Sequence, residues 1–221
     1  MNAALDHLVI AATTLDEGVA WCERTLGITP GPGGQHPLMG THNRLFSIAN
    51  ADFPLAYVEI IAIDPAAPIP GRRRWFDLDD INLHSRLRRE GPQLVHWAAR
   101  VEDASAALAA LQEQGLEGGE VIAASRPTPQ GLLQWQITVR PDGRRLFDGL
   151  LPTLIQWGEV HPAANMSASG ITLAALELQH PQAEGLAAGL QAIGLALPVH
   201  PGPVHLRARL GTARGPLDIC S

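Results

Sequence analysis

The chain has 221 residues, 46% of them hydrophobic and 17% charged, which is enough for one or two compact domains with a substantial core. Its formal net charge of −6 argues against nucleic acid or an anionic membrane as a partner. All 16 basic residues are arginines, and the lack of lysine excludes Schiff-base chemistry and the lysine-containing phosphate loop. No apolar run approaches the ~20 residues of a membrane span. Because the N-terminus also lacks a secretion signal, we expect a cytoplasmic protein.

The first predicted unit covers residues 1–64 and has the order β-α-β-β-β. A short apolar run at residues 5–10 places His7 inside a buried strand. A helix with an apolar stripe follows and ends at Gly27. The last strand of the unit, at residues 57–61, contains a single carboxylate, Glu59.

The second predicted unit covers residues 93–160 and repeats this order. His96 lies in its first strand, a helix follows, and strand-like segments come next at residues 120–124, 132–139 and 154–157. The segment between the units, residues 65–92, contains the run Arg72-Arg73-Arg74. That run is typical of a solvated linker, with a lid or a site for an anionic group as the alternative.

A third, partial unit is predicted at residues 168–221. Its helix signals match those of the first unit at a constant offset, under which His7 corresponds to Ala174. The third unit thus keeps the strand and loses the histidine. Because a lone βαβββ sheet leaves one face open, we expect this unit to pack on the other two or to pair in a homodimer.

Three polar side chains lie alone in strands that should be buried: His7, Glu59 and His96. Each is costly there without a partner, and a shared cation is one explanation. The alternative is that each is an ordinary core residue whose hydrogen bonds are satisfied locally.

Tandem βαβββ units with these three residues in these strands resemble the vicinal oxygen chelate superfamily. Residues 91–98, residues 151–157 and the following His161-Pro162 resemble its glyoxalase-like domain branch. The resemblance implies an α+β fold in which tandem βαβββ modules form a cup-shaped mixed sheet.

The resemblance also implies a site inside the cup. The ligands of a divalent metal would be His7, Glu59, His96 and Gln156, where Gln156 replaces the more usual second glutamate. Imidazole, carboxylate and amide ligands suit Zn, Ni, Fe or Mn. Tyr57 is expected on the cup face beside Glu59. If the apolar residues of the strand at 132–139 pack on the helices, the residues that orient a substrate are Arg100, Gln134 and Gln136; otherwise the two glutamines are ordinary solvent-facing residues.

These expectations lead to three functional hypotheses. The first is a divalent-metal enzyme of the lyase or isomerase type that acts on a small, vicinally oxygenated molecule, with Glu59 as both ligand and base. The second is a metal-free protein that binds and sequesters a small molecule in the same cup. The third is a non-haem iron dioxygenase of the extradiol type, which two histidines and one carboxylate would also suit.

Overall fold

A computed structural model describes residues 2–128 and 131–221 of the chain, and the strands in these parts form one sheet of eight strands and one of four. The larger sheet contains β1 (Ala4–Ala11), β2 (Gln35–His36), β3 (Thr41–Ser47), β4 (Tyr57–Ile63), β5 (Gln93–Arg100), β6 (Glu120–Thr128), β7 (Gly131–Val139) and β8 (Thr153–Trp157). The smaller sheet contains β9 (Thr172–His180), β10 (Val199–Pro201), β11 (His205–Thr212) and β12 (Gly215–Cys220).

The helices begin and end where the local sequence directs. They are α1 (Leu15–Leu26), α2 (Ile81–Glu90), α3 (Ala104–Glu113) and α4 (Ala183–Ala192). Before α1, the Thr14 side chain accepts a hydrogen bond from a first-turn backbone N–H, and Gly27 ends the helix with a left-handed φ of 74°. Asp80 and Asp103 cap α2 and α3 in the same way. No helix in residues 2–128 and 131–221 is long and apolar enough to cross a membrane.

The strand order of the larger sheet is β2-β3-β4-β1-β5-β8-β7-β6, so its two halves mirror each other. The first strand of each half pairs in parallel with the last strand of that half, and β1 and β5 pair antiparallel at the centre. The sheet curls until its edges approach, since the Arg126 guanidinium on β6 lies against Gly34, next to β2. The predicted cup of paired βαβββ modules is confirmed as a nearly closed, barrel-like mixed sheet.

The outer face of this sheet carries the larger core. Leu8, Ile60 and Trp97 pack there with residues of α1, α3 and the smaller sheet. The inner face carries a second core, in which the segment between the two halves supplies Trp75, Phe76, Leu83 and Leu87. The predicted linker therefore does more than connect the halves, because its apolar side chains fill much of the cup.

The third unit keeps the βαβββ order but pairs its strands differently. Its strand order is β10-β9-β11-β12, with β10 parallel to β9, whereas an exact copy of the first unit would place its last strand beside its first. One face of this sheet, including Leu176 and Leu206, joins the outer core, so its apolar strands are covered within the chain. The opposite face carries ion pairs of Arg207 with Glu177 and Asp218.

Candidate functional site

Glu59, on the inner face of β4, is buried at the floor of the cup. One carboxylate oxygen accepts a hydrogen bond from Asn43 Nδ2 at 2.6 Å, and His36 Nε2 lies 3.9 Å from the same oxygen. The other carboxylate oxygen lies 3.6 Å from His7 Nε2. β1 pairs in parallel with β4, which brings His7 and Glu59 to the same pocket.

A β-bulge on β1 places Asp6 beside His7. Leu5 pairs with Ala99 and His7 with Ala98, so Asp6 is the extra residue between two successive pairs. In a regular strand neighbouring side chains point to opposite faces, but the extra residue of a bulge breaks that alternation. The Asp6 carboxylate consequently accepts a hydrogen bond from His7 Nδ1 at 2.7 Å.

Asp6 is fully buried and collects hydrogen bonds from three directions. Besides His7, it accepts from His161 Nε2 at 2.8 Å and from Trp157 Nε1 at 3.0 Å, and Arg100 Nη1 lies 3.7 Å from the carboxylate. Burial alone would raise the pKa of Asp6, but the hydrogen bonds from His161 and His7 outweigh it and hold that pKa below its ordinary value. The carboxylate is therefore ionised at the centre of the network.

His7 lies between the two carboxylates and holds its proton more firmly than an ordinary histidine. Burial lowers the pKa of His7, but the hydrogen bond to Asp6 and the charges of Asp6 and Glu59 raise it above 6.5. Tyr57 stacks on the imidazole at 4.7 Å between ring centroids. Burial, together with the charges of Asp6 and Glu59, raises the pKa of Tyr57 well above 10, so this hydroxyl remains neutral.

His36 and Asn43 form the opposite wall of the Glu59 pocket. Burial lowers the pKa of His36 to about 4, so the ring is neutral at pH 7. Its Nδ1 is within hydrogen-bond distance of the Thr41 hydroxyl at 3.0 Å, and Asn43 Nδ2 reaches its Nε2 at 3.3 Å. The Asn43 carbonyl oxygen accepts from Gly34 N at 2.7 Å, which fixes the amide so that its NH₂ group points at Glu59.

His96 lies on the same face of the sheet but lines a separate pocket. Trp75 and Phe76 line both pockets, and the Phe76 ring is 5.1 Å from the His96 ring. His96 Nδ1 donates to Gly149 O at 2.8 Å, while its Nε2 accepts from the hydroxyl and backbone N–H of Thr153 at 2.9 and 3.2 Å. Burial and the Arg145 charge lower the pKa of His96 to about 3. The His96 ring is thus neutral, and the lone pair of its Nε2 already accepts hydrogen bonds from Thr153.

The three predicted glutamines do not reach the cup. Gln156 Oε1 accepts from Ala104 N at 2.9 Å, so this side chain caps the first turn of α3 on the outer side of the sheet. Gln134 and Gln136 are exposed, because the apolar residues that alternate with them, including Trp135, pack inside the cup instead of on the helices. Of the two arrangements that the sequence left open, β7 therefore has the one in which Gln134 and Gln136 face solvent.

The predicted four-ligand metal set therefore does not fit this arrangement. His7 and Glu59 face each other, but the His96 lone pair is engaged by Thr153 and Gln156 lies on the other side of the sheet. Within residues 2–128 and 131–221, no group of three or more His, Cys, Asp or Glu side chains has the geometry to hold a metal ion. We derive no chemical step through a metal, because the four predicted ligands, and equally the His7, His96 and Glu59 triad of an iron dioxygenase, do not meet at one point.

Several residues of this site join it through tertiary contacts, which a strand pattern in the sequence does not reveal. Asp6, Asn43 and Arg126 belong to it, and so do His36 and His161, and none of the five was among the predicted site residues. The adjacent pair Asp6-His7 was the available signal, because a carboxylate next to a buried histidine often fixes its tautomer.

Two cavities adjoin each other at this site. The pocket in front of Glu59 has a free volume of about 30 Å³, little more than a water molecule needs. It shares His36, Trp75, Trp135 and Ile137 with a cavity of about 260 Å³. The geometry therefore offers a small polar end beside a larger apolar chamber.

Paired βαβββ modules around such a cup define a protein of the vicinal oxygen chelate superfamily. A family model described as "Glyoxalase-like domain" matches residues 5–194, and the chain belongs to that family.

A similar solved structure is that of a hypothetical protein from Staphylococcus aureus, which is 16% identical with a TM-score of 0.57, over 91% of this chain and 87% of that one. The methylmalonyl-CoA epimerase of Streptomyces coelicolor, in complex with 2-nitronate-propionyl-CoA, is 18% identical with a TM-score of 0.45, over 73% of this chain and 99% of that one. The corresponding epimerase of Mycobacterium tuberculosis is 19% identical with a TM-score of 0.40, over 72% and 90%. At these identities the likeness concerns the fold alone. A comparison with curated proteins gives no match.

Proposed function

We propose that this protein is a proton-transfer enzyme of the isomerase or lyase type that acts on a small, vicinally oxygenated molecule. The observation that carries the proposal is the Glu59 carboxylate, which is buried at the cup floor, oriented by Asn43 and paired with His7 at 3.6 Å. A buried, oriented carboxylate is suited to accept a proton from carbon.

In this mechanism Glu59 removes a proton from a carbon next to a carbonyl group. The carbon–hydrogen bond breaks, an O–H bond forms on Glu59, and the electron pair moves onto the carbonyl oxygen. The positive charge of His7, which Asp6 maintains, stabilises the resulting oxyanion. Return of the proton to a neighbouring carbon gives an isomer, and expulsion of a leaving group gives the product of a lyase.

Hydrogen exchange at carbon tests this proposal without knowledge of the natural substrate. Acetoin is a suitable probe because it has oxygen on two adjacent carbons, and its C3–H is on the hydroxyl-bearing carbon next to the carbonyl group. We expect the C3–H proton NMR signal of acetoin in D₂O to decay faster with the protein than with buffer. The Glu59→Gln variant should abolish the acceleration, and the matched Glu102→Gln variant, at an exposed position, should retain it.

The same assay also tests the hypothesis that the activity depends on a metal. It is run on chelator-treated protein and on protein supplemented with Zn, Ni, Fe or Mn. Acceleration in the chelator-treated sample supports the mechanism by side chains alone. Absence of acceleration in every sample, for acetoin and for a panel of related hydroxyketones, would contradict the proposed activity.

A second candidate function is the metal-free binding and sequestering of a small molecule. The observation that favours it is the apolar cavity of about 260 Å³ beside the polar pocket, since a cavity lined in this way binds an apolar body without any reaction. Tight binding of a small molecule in this cavity, without hydrogen exchange at its carbon atoms, would favour the binding function over the enzymatic one.

A further inference from the structure

The cavity of about 260 Å³ lies where the eight-stranded sheet fails to close into a barrel. Pro37, Leu38 and Met39, which follow β2, line one side, and Ile122 and Ala124 of β6 line the other. Leu38 is 47% exposed, so this side of the cavity reaches the surface. The volume is slightly below the ~300 Å³ at which pockets for drug-sized ligands begin, so the ligand is small.

The lining carries no formal charge. Among the residues described, no Asp, Glu or Arg side chain lines this cavity. His36 is its one titratable group, and burial keeps that ring neutral by lowering its pKa to about 4. Trp75 and Trp135 contribute two indole rings. Because a charged group costs several kcal/mol when it is buried without a partner, this chamber selects an uncharged and preferably flat body.

Trp75 supplies one polar feature that the folded chain leaves unused. Trp75 is only 7% exposed, and its Nε1–H has no hydrogen-bond partner within the described residues. A buried donor without a partner costs free energy, and buried indole N–H groups usually find an acceptor. Because Trp75 lines this cavity, we take a ligand oxygen bound there as the acceptor for this N–H.

The chamber adjoins the Glu59 pocket, with which it shares Trp75 and His36. We infer that it binds the body of the substrate, namely an uncharged flat ring system of one or two rings whose oxygen accepts a hydrogen bond from Trp75 Nε1. This inference rests on the proposed function in one respect, because it assigns the reacting end of the same molecule to Glu59.

Three naphthalene probes of nearly equal shape test the inference by isothermal titration calorimetry. 2-Acetylnaphthalene has an acceptor oxygen, 2-ethylnaphthalene lacks it, and 2-naphthoate is anionic. We expect the acetyl probe to bind about fivefold more tightly than the ethyl probe, the equivalent of one hydrogen bond, and the naphthoate not to bind. The Trp75→Phe variant should lose the preference for the acetyl probe, while the matched Trp21→Phe variant on α1 keeps it.

Ala124→Phe, which fills the cavity, should abolish binding of both neutral probes, whereas Ala196→Phe at an exposed position of the third unit should not. Circular dichroism confirms that each variant is folded. Equal binding of all three probes, a preference that survives Trp75→Phe, or binding that survives Ala124→Phe would overturn the inference. Glu59→Gln should retain probe binding while it loses exchange at carbon, so failure of this inference and failure of the proposed activity are seen in different experiments.

Discussion

Replacement of Asp6 by Asn tests the network that gives His7 its charge. The Asp6 carboxylate accepts from His7, His161 and Trp157, whereas an amide of the same shape offers only one acceptor oxygen and adds two donors. At least one buried donor then loses its acceptor, and the imidazolium loses its counter-charge. Each loss is of the kind that costs a few kcal/mol, so we expect Asp6→Asn to lower the free energy of unfolding by about 3 kcal/mol near pH 6.

The assay is urea denaturation of the wild type, Asp6→Asn, His7→Gln and the double variant, with Asp52→Asn as the control at an exposed aspartate. Because Asp6 and His7 act as a pair, the double variant should be less destabilised than the sum of the single variants by about 1–3 kcal/mol. An NMR titration of His7 should show a lower pKa in Asp6→Asn. A cost below about 0.5 kcal/mol, which is typical of a surface change, or an unchanged His7 titration would refute the reasoning.

Further outcomes follow from the same contacts. Because the folded-state pKa of His7 lies above 6.5, its contribution to stability is fully present below pH 6.5 and lost as pH rises through the folded pKa, so the cost of Asp6→Asn should shrink in alkaline urea titrations. Asp6 acts in the opposite direction: its pKa is lowered below 3.8, so its contribution is present above that pH and lost as pH falls further. Gln156→Ala should destabilise the protein by about 1 kcal/mol through the lost cap of α3, as measured by thermal unfolding, and leave the exchange rate at carbon unchanged. The homodimer was the alternative to packing of the third unit within the chain; light scattering tests it, and the mass of a monomer would contradict it.

The paired modules could be predicted from the sequence, because the spacing of apolar residues and the signals that start and end helices depend on neighbouring residues alone. His7, Glu59 and Tyr57 line one pocket, because β1 and β4 pair in parallel with His7 opposite Tyr57 and Val9 opposite Glu59. The third unit shows the limit of this reasoning. Its element order was readable, but strand pairing is a long-range property and turned out to differ from that of the first unit.

The prediction of the site failed where the strands depart from strict alternation or where the inner and outer faces were exchanged. The bulge at Asp6 moves a carboxylate to the cup side, and a corresponding shift on β5 makes Val95 the extra residue before His96. The direction of β7 depended on which apolar face the helices cover, and Trp135 packs inside the cup because the segment of Trp75 offers an apolar surface there. No local pattern in the sequence predicts that the segment between the two halves, which contains Trp75, folds into the cup.

The most direct test of the central claim compares the exchange rate of acetoin C3–H for Glu59→Gln, His7→Gln and His96→Gln in chelator-treated protein. If Glu59, with the charge of His7, performs the proton transfer, the first two variants lose the acceleration. His96→Gln retains most of it, because among the residues that the structure describes the His96 ring hydrogen-bonds to Gly149 and Thr153 and not to Glu59. A four-ligand metal centre requires His96 as much as His7. Equal loss of activity in the His7 and His96 variants, restored in the wild type only by added metal, would contradict the account.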